Sequence, residues 1–200
     1  MKTVLVISAS IFGQDGQSSH LIQHALEKLR QTHGEIRTIT RDLAAEPVPH
    51  LDAFRFSSFL ASAGERSDEQ QQVVDYSDSL IDEIRAADIL VIGVPMYNFG
   101  IPSALKAYFD HIARAGVTFR YTENGPEGLL EDRPVYILAA RGGIYSGTTN
   151  DSQTPYLRSF LGFLGMQDLH FVYAEGLNMG EEQKQRSLQD AIQAIDTLIA

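Results

Sequence analysis

The sequence predicts one α/β domain over residues 1–200, with five strands in a doubly wound parallel sheet, order 2-1-3-4-5, and helices on both faces. Three observations carry this. Short apolar runs alternate along the chain with longer stretches of helical periodicity, the pattern of strand–helix units. The run Ile89-Leu-Val-Ile-Gly-Val94 contains no polar residue, as expected of a strand buried on both faces. No repeat or low-complexity segment breaks the alternation, and 200 residues suffice for a core on each side of a sheet.

Taken in order, the first strand is Thr3–Ser8. A polar loop leads to a helix over Ser18–Thr32, on which Leu21, Ile22, Ala25, Leu26 and Leu29 form one apolar stripe. The second strand is Ile36–Thr40. Ser67-Asp-Glu-Gln70 fits a capping box opening a helix over Asp68–Ala86, striped by Val73, Tyr76, Leu80 and Ile84. After the third strand, Ile89–Val94, Pro102 stands near the first turn of a helix over Ser103–Ala115, where an N–H is not needed. Val135–Ala140 and Leu169–Ala174 are the last strands. Their helices are Thr154–Leu164 and Glu181–Ile199, the latter striped by Leu188, Ile192, Ile195 and Ile199.

Two segments exceed this minimal plan. Arg41 to Arg66 is long enough to carry a short helix of its own, and its Phe54, Phe56 and Phe59 either line a lid or pin the segment to the core. Gly116 to Asp132 is glycine-rich and too polar for a core, so its aromatics Phe119 and Tyr121 are expected to meet a ligand or a second subunit.

Composition narrows the partners. A net charge of −10 argues against nucleic acid and anionic membrane, although backbone N–H groups at a helix start still hold a single phosphate. There is no cysteine, which excludes disulfides and thiolate chemistry. Met1-Lys2 leads directly into a strand, and the run from Ile89 to Met96 is far short of the ~20 residues that span a bilayer, so a cytoplasmic address is expected. His20 and His24 are four apart on a helix, but they sit opposite its apolar stripe and read as surface histidines rather than metal ligands. No P-loop, GxSxG elbow or GxGxxG fingerprint is present.

The chemistry concentrates at the carboxyl ends of the strands, where open α/β sheets bind ligands. Beyond the first strand, Ser10 and Gly16-Gln17-Ser18 precede or open a helix, where unpaired N–H groups and the helix dipole favour a phosphate. Beyond the third, Met96-Tyr97-Asn98-Phe99 form an aromatic–amide–aromatic turn, a flat apolar wall beside free backbone donors. Beyond the fourth, Ala140-Arg141-Gly142-Gly143-Ile144-Tyr145 pairs two glycines that allow close backbone approach to a ring. Taken singly, each is also explained as a helix cap, a packed turn or a flexible strand exit.

Together, the Pro95–Phe99 turn, the segment GVTFRYTENGPEGL from Gly116 to Leu129 and the Arg141–Gly143 loop resemble the FMN-dependent azoreductases, also described as NAD(P)H:quinone oxidoreductases. The resemblance runs from the strand at Val4–Ser10 to the last helix. It implies a flavodoxin-like fold, tightly bound FMN, and hydride transfer from NADH or NADPH through flavin N5 to quinones and azo compounds in a ping-pong cycle. It implies cofactor contacts from Ser10, Gly16, Gln17, Ser18, Met96, Tyr97, Asn98, Phe99, Ala140, Arg141, Gly142, Gly143 and Tyr145. It places Asn98, Phe99, Tyr121 and Phe163 around the substrate pocket, with Tyr121 contributed by the second subunit of a homodimer. The chemistry would belong to the flavin, with no catalytic side chain and no metal. Three positions depart from the family pattern: Gly16 stands where serine is frequent, Ala140 where serine or threonine is, and Tyr145 where histidine is. Tyrosine donates a hydrogen bond but does not replace histidine as an acid near neutrality. The competing reading is a flavodoxin, a non-enzymatic electron carrier; the Gly116–Asp132 insert and the turn at Met96–Phe99 argue against it.

Overall fold

The computed structural model describes residues 1–200. Five strands make the main sheet: β1 (Lys2–Ser8), β2 (Ile36–Asp42), β3 (Ile89–Pro95), β6 (Val135–Ala140) and β7 (Leu169–Ala174). Two more, β4 (Phe119–Thr122) and β5 (Gly125–Gly128), form a separate antiparallel hairpin. All pairings in the main sheet are parallel, and its order is β2-β1-β3-β6-β7. Counting only those five strands, this is the expected 2-1-3-4-5.

The helices are α1 (Gln17–His33), α2 (Ala53–Leu60), α3 (Asp68–Ala86), α4 (Ser103–Ile112), α5 (Gln153–Leu164) and α6 (Glu181–Leu198). Alternation along the central strands sorts the core into two clusters. Val4, Val6, Ile89 and Val91 face α1 and α6, together with Leu21, Ala25, Leu29, Ala191 and Ile195. Leu5, Ile7, Leu90 and Ile92 face α3, α4 and α5, together with Leu80, Ile84, Phe109 and Leu161. Burial on both faces is what the unbroken apolar run of β3 requires. Because α1 and α4 leave neighbouring strands toward opposite faces, a crevice opens between β1 and β3, where Ser8 lies beside Gly93.

Several expectations need correction. Ser67 and Gln70 do form the capping box, but the buried line of α3 is Val74, Ser77, Leu80, Ile81 and Ile84, with Val73 and Tyr76 half-buried at its edge. On α6 the small Ala191 turns inward toward α1, which leaves Ile192 37% exposed. Helix α4 stops at Ile112, before Ala115, because the Thr118 hydroxyl accepts from Arg114 N and donates to Ile112 O, closing the last turn ahead of Gly116. His24 is not a free surface group: its Nε2 is 2.9 Å from Asp196 on α6. The long connection carries α2, where Phe59 packs edge-on against His111 while Phe54 and Phe56 remain exposed. No helix is long and apolar enough to cross a membrane.

Candidate functional site

The loop after β1 folds on its own polar atoms. Ser10 O accepts from Gly13 N at 3.0 Å, Ser10 Oγ accepts from Phe12 N at 3.2 Å, and Ser19 Oγ donates to Gly13 O at 2.7 Å. The chain then enters α1 through Gly16, whose extended conformation makes it the N-cap. A Cβ at position 16 would overlap the Ser10 hydroxyl, so the glycine lets the two loop arms close. On the sheet side, Gly93 leaves room for Ile22 and Ser18 of α1 to pack directly on β3. Two buried hydroxyls, Ser8 Oγ and Ser18 Oγ, have no hydrogen-bond partner. Native structures rarely leave such groups unmet, and an anion at the start of a 17-residue helix supplies an acceptor. Asp15 is exposed.

The turn after β3 is tighter than its sequence suggested. Tyr97 N donates to Gly100 O at 3.2 Å and Gly100 N to Tyr97 O at 3.0 Å, with Asn98 (φ 49°) and Phe99 (φ 64°) between them. Two successive left-handed residues inside such a pair make a type I′ hairpin turn. Asparagine tolerates this conformation; phenylalanine does so at a steric cost. Phe99 nevertheless stays 57% exposed, with its ring 5.5 Å from that of Tyr145, edge to face. The Tyr97 hydroxyl accepts from Ile11 N at 3.2 Å and ties this turn to the loop after β1.

The loop after β6 forms the opposite wall. Gly142 O accepts from Asn178 N at 3.0 Å and Gly143 O from Gly176 N at 2.9 Å. A Cβ on Gly142 would lie 2.6 Å from Asn178 Nδ2, and one on Gly143 2.6 Å from the Tyr145 hydroxyl. The two glycines thus leave the space that the ends of the Asn178 and Tyr145 side chains occupy. The Arg141 side chain is fully buried and turned away from the crevice, so only the backbone at this position is available to a ligand.

These three loops meet around two adjoining cavities. A cavity of about 150 Å³ joins Ser10, Gly16 and Gln17 to Met96, Tyr97, Ala140, Arg141 and Gly142. A second of about 410 Å³ is lined by Met96, Asn98, Phe99, Gly142, Gly143, Tyr145 and Asn178. Met96, Gly142 and Asn178 border both, and the larger volume falls within the ordinary range for small-molecule sites. Of the cofactor residues inferred from sequence, only Ser18 lies off these walls, buried beneath the start of α1. The narrow part sits at a helix start, and the broad part is bordered by Met96, Asn98, the paired glycines and the touching rings of Phe99 and Tyr145, which suits a phosphate carried on a planar ring. Sequence reasoning overlooked Phe12, Leu177 and Asn178. The last two follow β7, and the rule that ligands gather beyond strand ends would have pointed there.

Tyr121 and Phe163 are not brought to this crevice within one chain. Helix α5 begins at the crevice, where Gln153 donates to Pro95 O and Gly100 O, and runs away from it. Phe163, ten residues on, is roughly 15 Å down the helix. There it packs against Phe119, ring centroids 4.4 Å apart, and Phe119 in turn meets Tyr121. The hairpin is held at that end because Gly128 abuts the backbone at Leu164 and Gly165. Tyr121 is 75% exposed.

Comparison with known proteins gives three findings. A family model described as flavodoxin-like fold matches residues 2–199. Proteins named FMN-dependent NADH:quinone oxidoreductase are 56% identical in both Alcanivorax borkumensis, over 92% of this chain and 93% of that protein, and Cellvibrio japonicus, over the whole of both chains. An FMN-dependent NADH-azoreductase from Bacillus anthracis, solved in complex with FMN, superimposes with a TM-score of 0.87 at 29% identity, covering 100% of each chain.

Proposed function

Because the chain belongs to the flavodoxin-like fold family and stands among its FMN-dependent NADH:quinone oxidoreductases, we propose that it is an FMN enzyme that uses NADH to reduce quinones and azo compounds. The observation that carries this reading is the pair of adjoining cavities, narrow at Ser10, Gly16 and Gln17 by the start of α1 and broad along Met96, Asn98, Gly142 and Gly143, with the touching rings of Phe99 and Tyr145 in its lining. When bound, FMN supplies a two-electron centre that accepts reducing equivalents from NADH and passes them to the acceptor.

The chain's own residues bind and orient. Ser10 and Gln17, with the first N–H groups of α1, would hold the phosphate, and the Ser18 hydroxyl is buried beneath that helix start. Met96, Tyr97, Asn98 and Phe99 would contact the ring system from one wall, and Ala140 to Gly143 from the other through backbone groups. Tyr145 and Phe99 keep water from the outer edge and shape the entry for donor and acceptor in turn. No side chain of this set is required as a neutral-pH acid, which fits tyrosine at position 145.

The wall between the crevice and solvent is incomplete in one chain. Exposed Tyr121, Phe99, Ile144 and Ile11 are what a second copy would cover. A two-fold homodimer brings Tyr121, and Phe163 behind it, to the crevice of the partner. The enzyme works in the cytoplasm.

The test separates enzyme from electron carrier. Purified protein should turn over NADH with a quinone at steady state without any partner reductase. A protein that carries flavin yet needs a separate reductase for every electron would be a flavodoxin, and the enzymatic reading would fall.

A further inference from the structure

We infer that Arg141 and Gln153 are positioning residues: one buried guanidinium, with the amide it orients, holds the two walls of the crevice at a fixed separation. This rests on the FMN reading above, since the walls matter only for what lies between them.

Arg141 donates in three directions. Its Nε donates to Gln153 Oε1 at 3.0 Å. Its Nη2 reaches Asp151 Oδ1 at 3.0 Å and Thr154 Oγ1 at 3.2 Å, at the start of α5. Its Nη1 reaches Glu175 Oε1 at 3.0 Å, just beyond β7. The ring of Tyr173 lies 4.9 Å away against the guanidinium. A planar fork of donors fixes all these partners at once, which a lysine's single ammonium would not.

Each partner then grips one wall. The guanidinium only donates, so Gln153 must present its oxygen to Arg141 and its NH₂ to the other side. That NH₂ donates to Pro95 O at 3.1 Å and Gly100 O at 3.0 Å, the two ends of the strained turn. The neighbouring Ser152 hydroxyl donates to Phe99 O. Left-handed Asn98 and Phe99 persist only where the surroundings hold them, and the start of α5 does so. On the opposite wall, Glu175 Oε1 accepts from Tyr145 N and Ser146 N, both at 2.9 Å. The turn carrying Phe99 and the loop carrying Tyr145 are thus linked from behind through Gly100, Gln153, Arg141 and Glu175.

Gln153→Glu tests this with minimal change of shape. The introduced carboxylate keeps an acceptor for Arg141 but turns a second acceptor, in place of two donors, toward the carbonyls of Pro95 and Gly100. It also faces Asp151 and Glu175 across the guanidinium, so protonation is favoured as pH falls, and the protonated form can again donate to one carbonyl. The readout is FMN release on dilution of the holoprotein, followed by free-flavin fluorescence at pH 8 and pH 5.5, with wild type at each pH. We expect FMN to be held roughly tenfold or more weakly than in wild type at pH 8. At pH 5.5 the gap should narrow to roughly threefold, with far-UV circular dichroism unchanged.

A second pair of variants guards against misfolding. Glu175→Gln keeps an oxygen for the Tyr145 and Ser146 amides and should bind FMN within about threefold of wild type, whereas Glu175→Ala should lose roughly tenfold. Wild-type FMN retention in both Gln153→Glu and Glu175→Ala would overturn the inference, as would a loss that tracks melting temperature and ignores pH. A wild type that carries no FMN would instead overturn the functional reading on which it stands.

Discussion

Phe99 offers a test in which backbone and side chain can be separated. It holds φ at 64° beside Asn98 at 49°, in a turn closed on both sides by Tyr97 and Gly100. A residue with a Cβ is strained there by about 1–2 kcal/mol. Glycine escapes this strain but loses about 0.5–1 kcal/mol of conformational entropy on folding. Phe99→Ala and Phe99→Gly both remove the ring, whose loss is modest because it is 57% exposed, and that loss cancels when the two are compared. What remains is the backbone difference, about 0.5–1 kcal/mol in favour of glycine. The usual order, in which alanine is the more stable, should therefore reverse. Urea unfolding of the flavin-free variants measures it, and a chain of this size should also show a melting point about 2 °C higher for the glycine variant. If the alanine variant proves equally stable or more so, the turn does not hold the left-handed pair, and the strain argument fails.

Three further outcomes follow from the same structure. Gln17→Glu should weaken FMN binding by setting a carboxylate beside the phosphate, while α1 survives, because Gln17 is half-buried on the cavity wall at the helix start, where acidic residues are favoured; unchanged affinity would mean the phosphate lies elsewhere. Tyr121→Ala should lower quinone turnover with FMN binding affected less, and a mixed dimer pairing it with a flavin-loop variant should regain one intact site; full activity in dilute monomers would show the pocket to be built within one chain. Burial holds the His111 imidazole below the ordinary histidine range, with only Nδ1 bonded, to Ala107 O, and Nε2 unpartnered. The unfolded chain therefore binds this proton more readily than the fold does, so the contribution is intact above about pH 6.5 and declines as pH falls through it. His111→Phe should flatten that decline by up to about 1.4 kcal/mol per pH unit in urea unfolding at pH 5 to 7, and an unaltered slope would show that His111 does not drive it.

The main sheet was legible because its signals are local: apolar runs for the strands, a capping box at Ser67, and Pro102 at a helix start. The loops of the crevice were legible for the same reason, since strand ends locate them. What escaped depends on distant neighbours. The resemblance places Arg141 among the cofactor contacts with nothing to show that its side chain turns inward, because its buried acceptors, Asp151 and Glu175, lie ten and 34 residues further on. His24 read as solvent-facing because Asp196 is 172 residues away. The hairpin β4–β5 did carry a local sign, Asn124-Gly125, but its strands alternate poorly and bury little beyond Phe119, so nothing in their periodicity marks them. The helix stripes shifted by one position where a small or polar residue, Ala191 or Ser77, takes the closest approach.

The most direct measurement is the identity and amount of flavin released by heat from the purified protein, resolved by chromatography. A phosphate at the start of α1 and a planar ring in the adjoining cavity lined by Met96, Asn98, Gly142 and Gly143 predict FMN at close to one per chain. Stoichiometric FAD, or a colourless protein that takes up no FMN, would contradict the account.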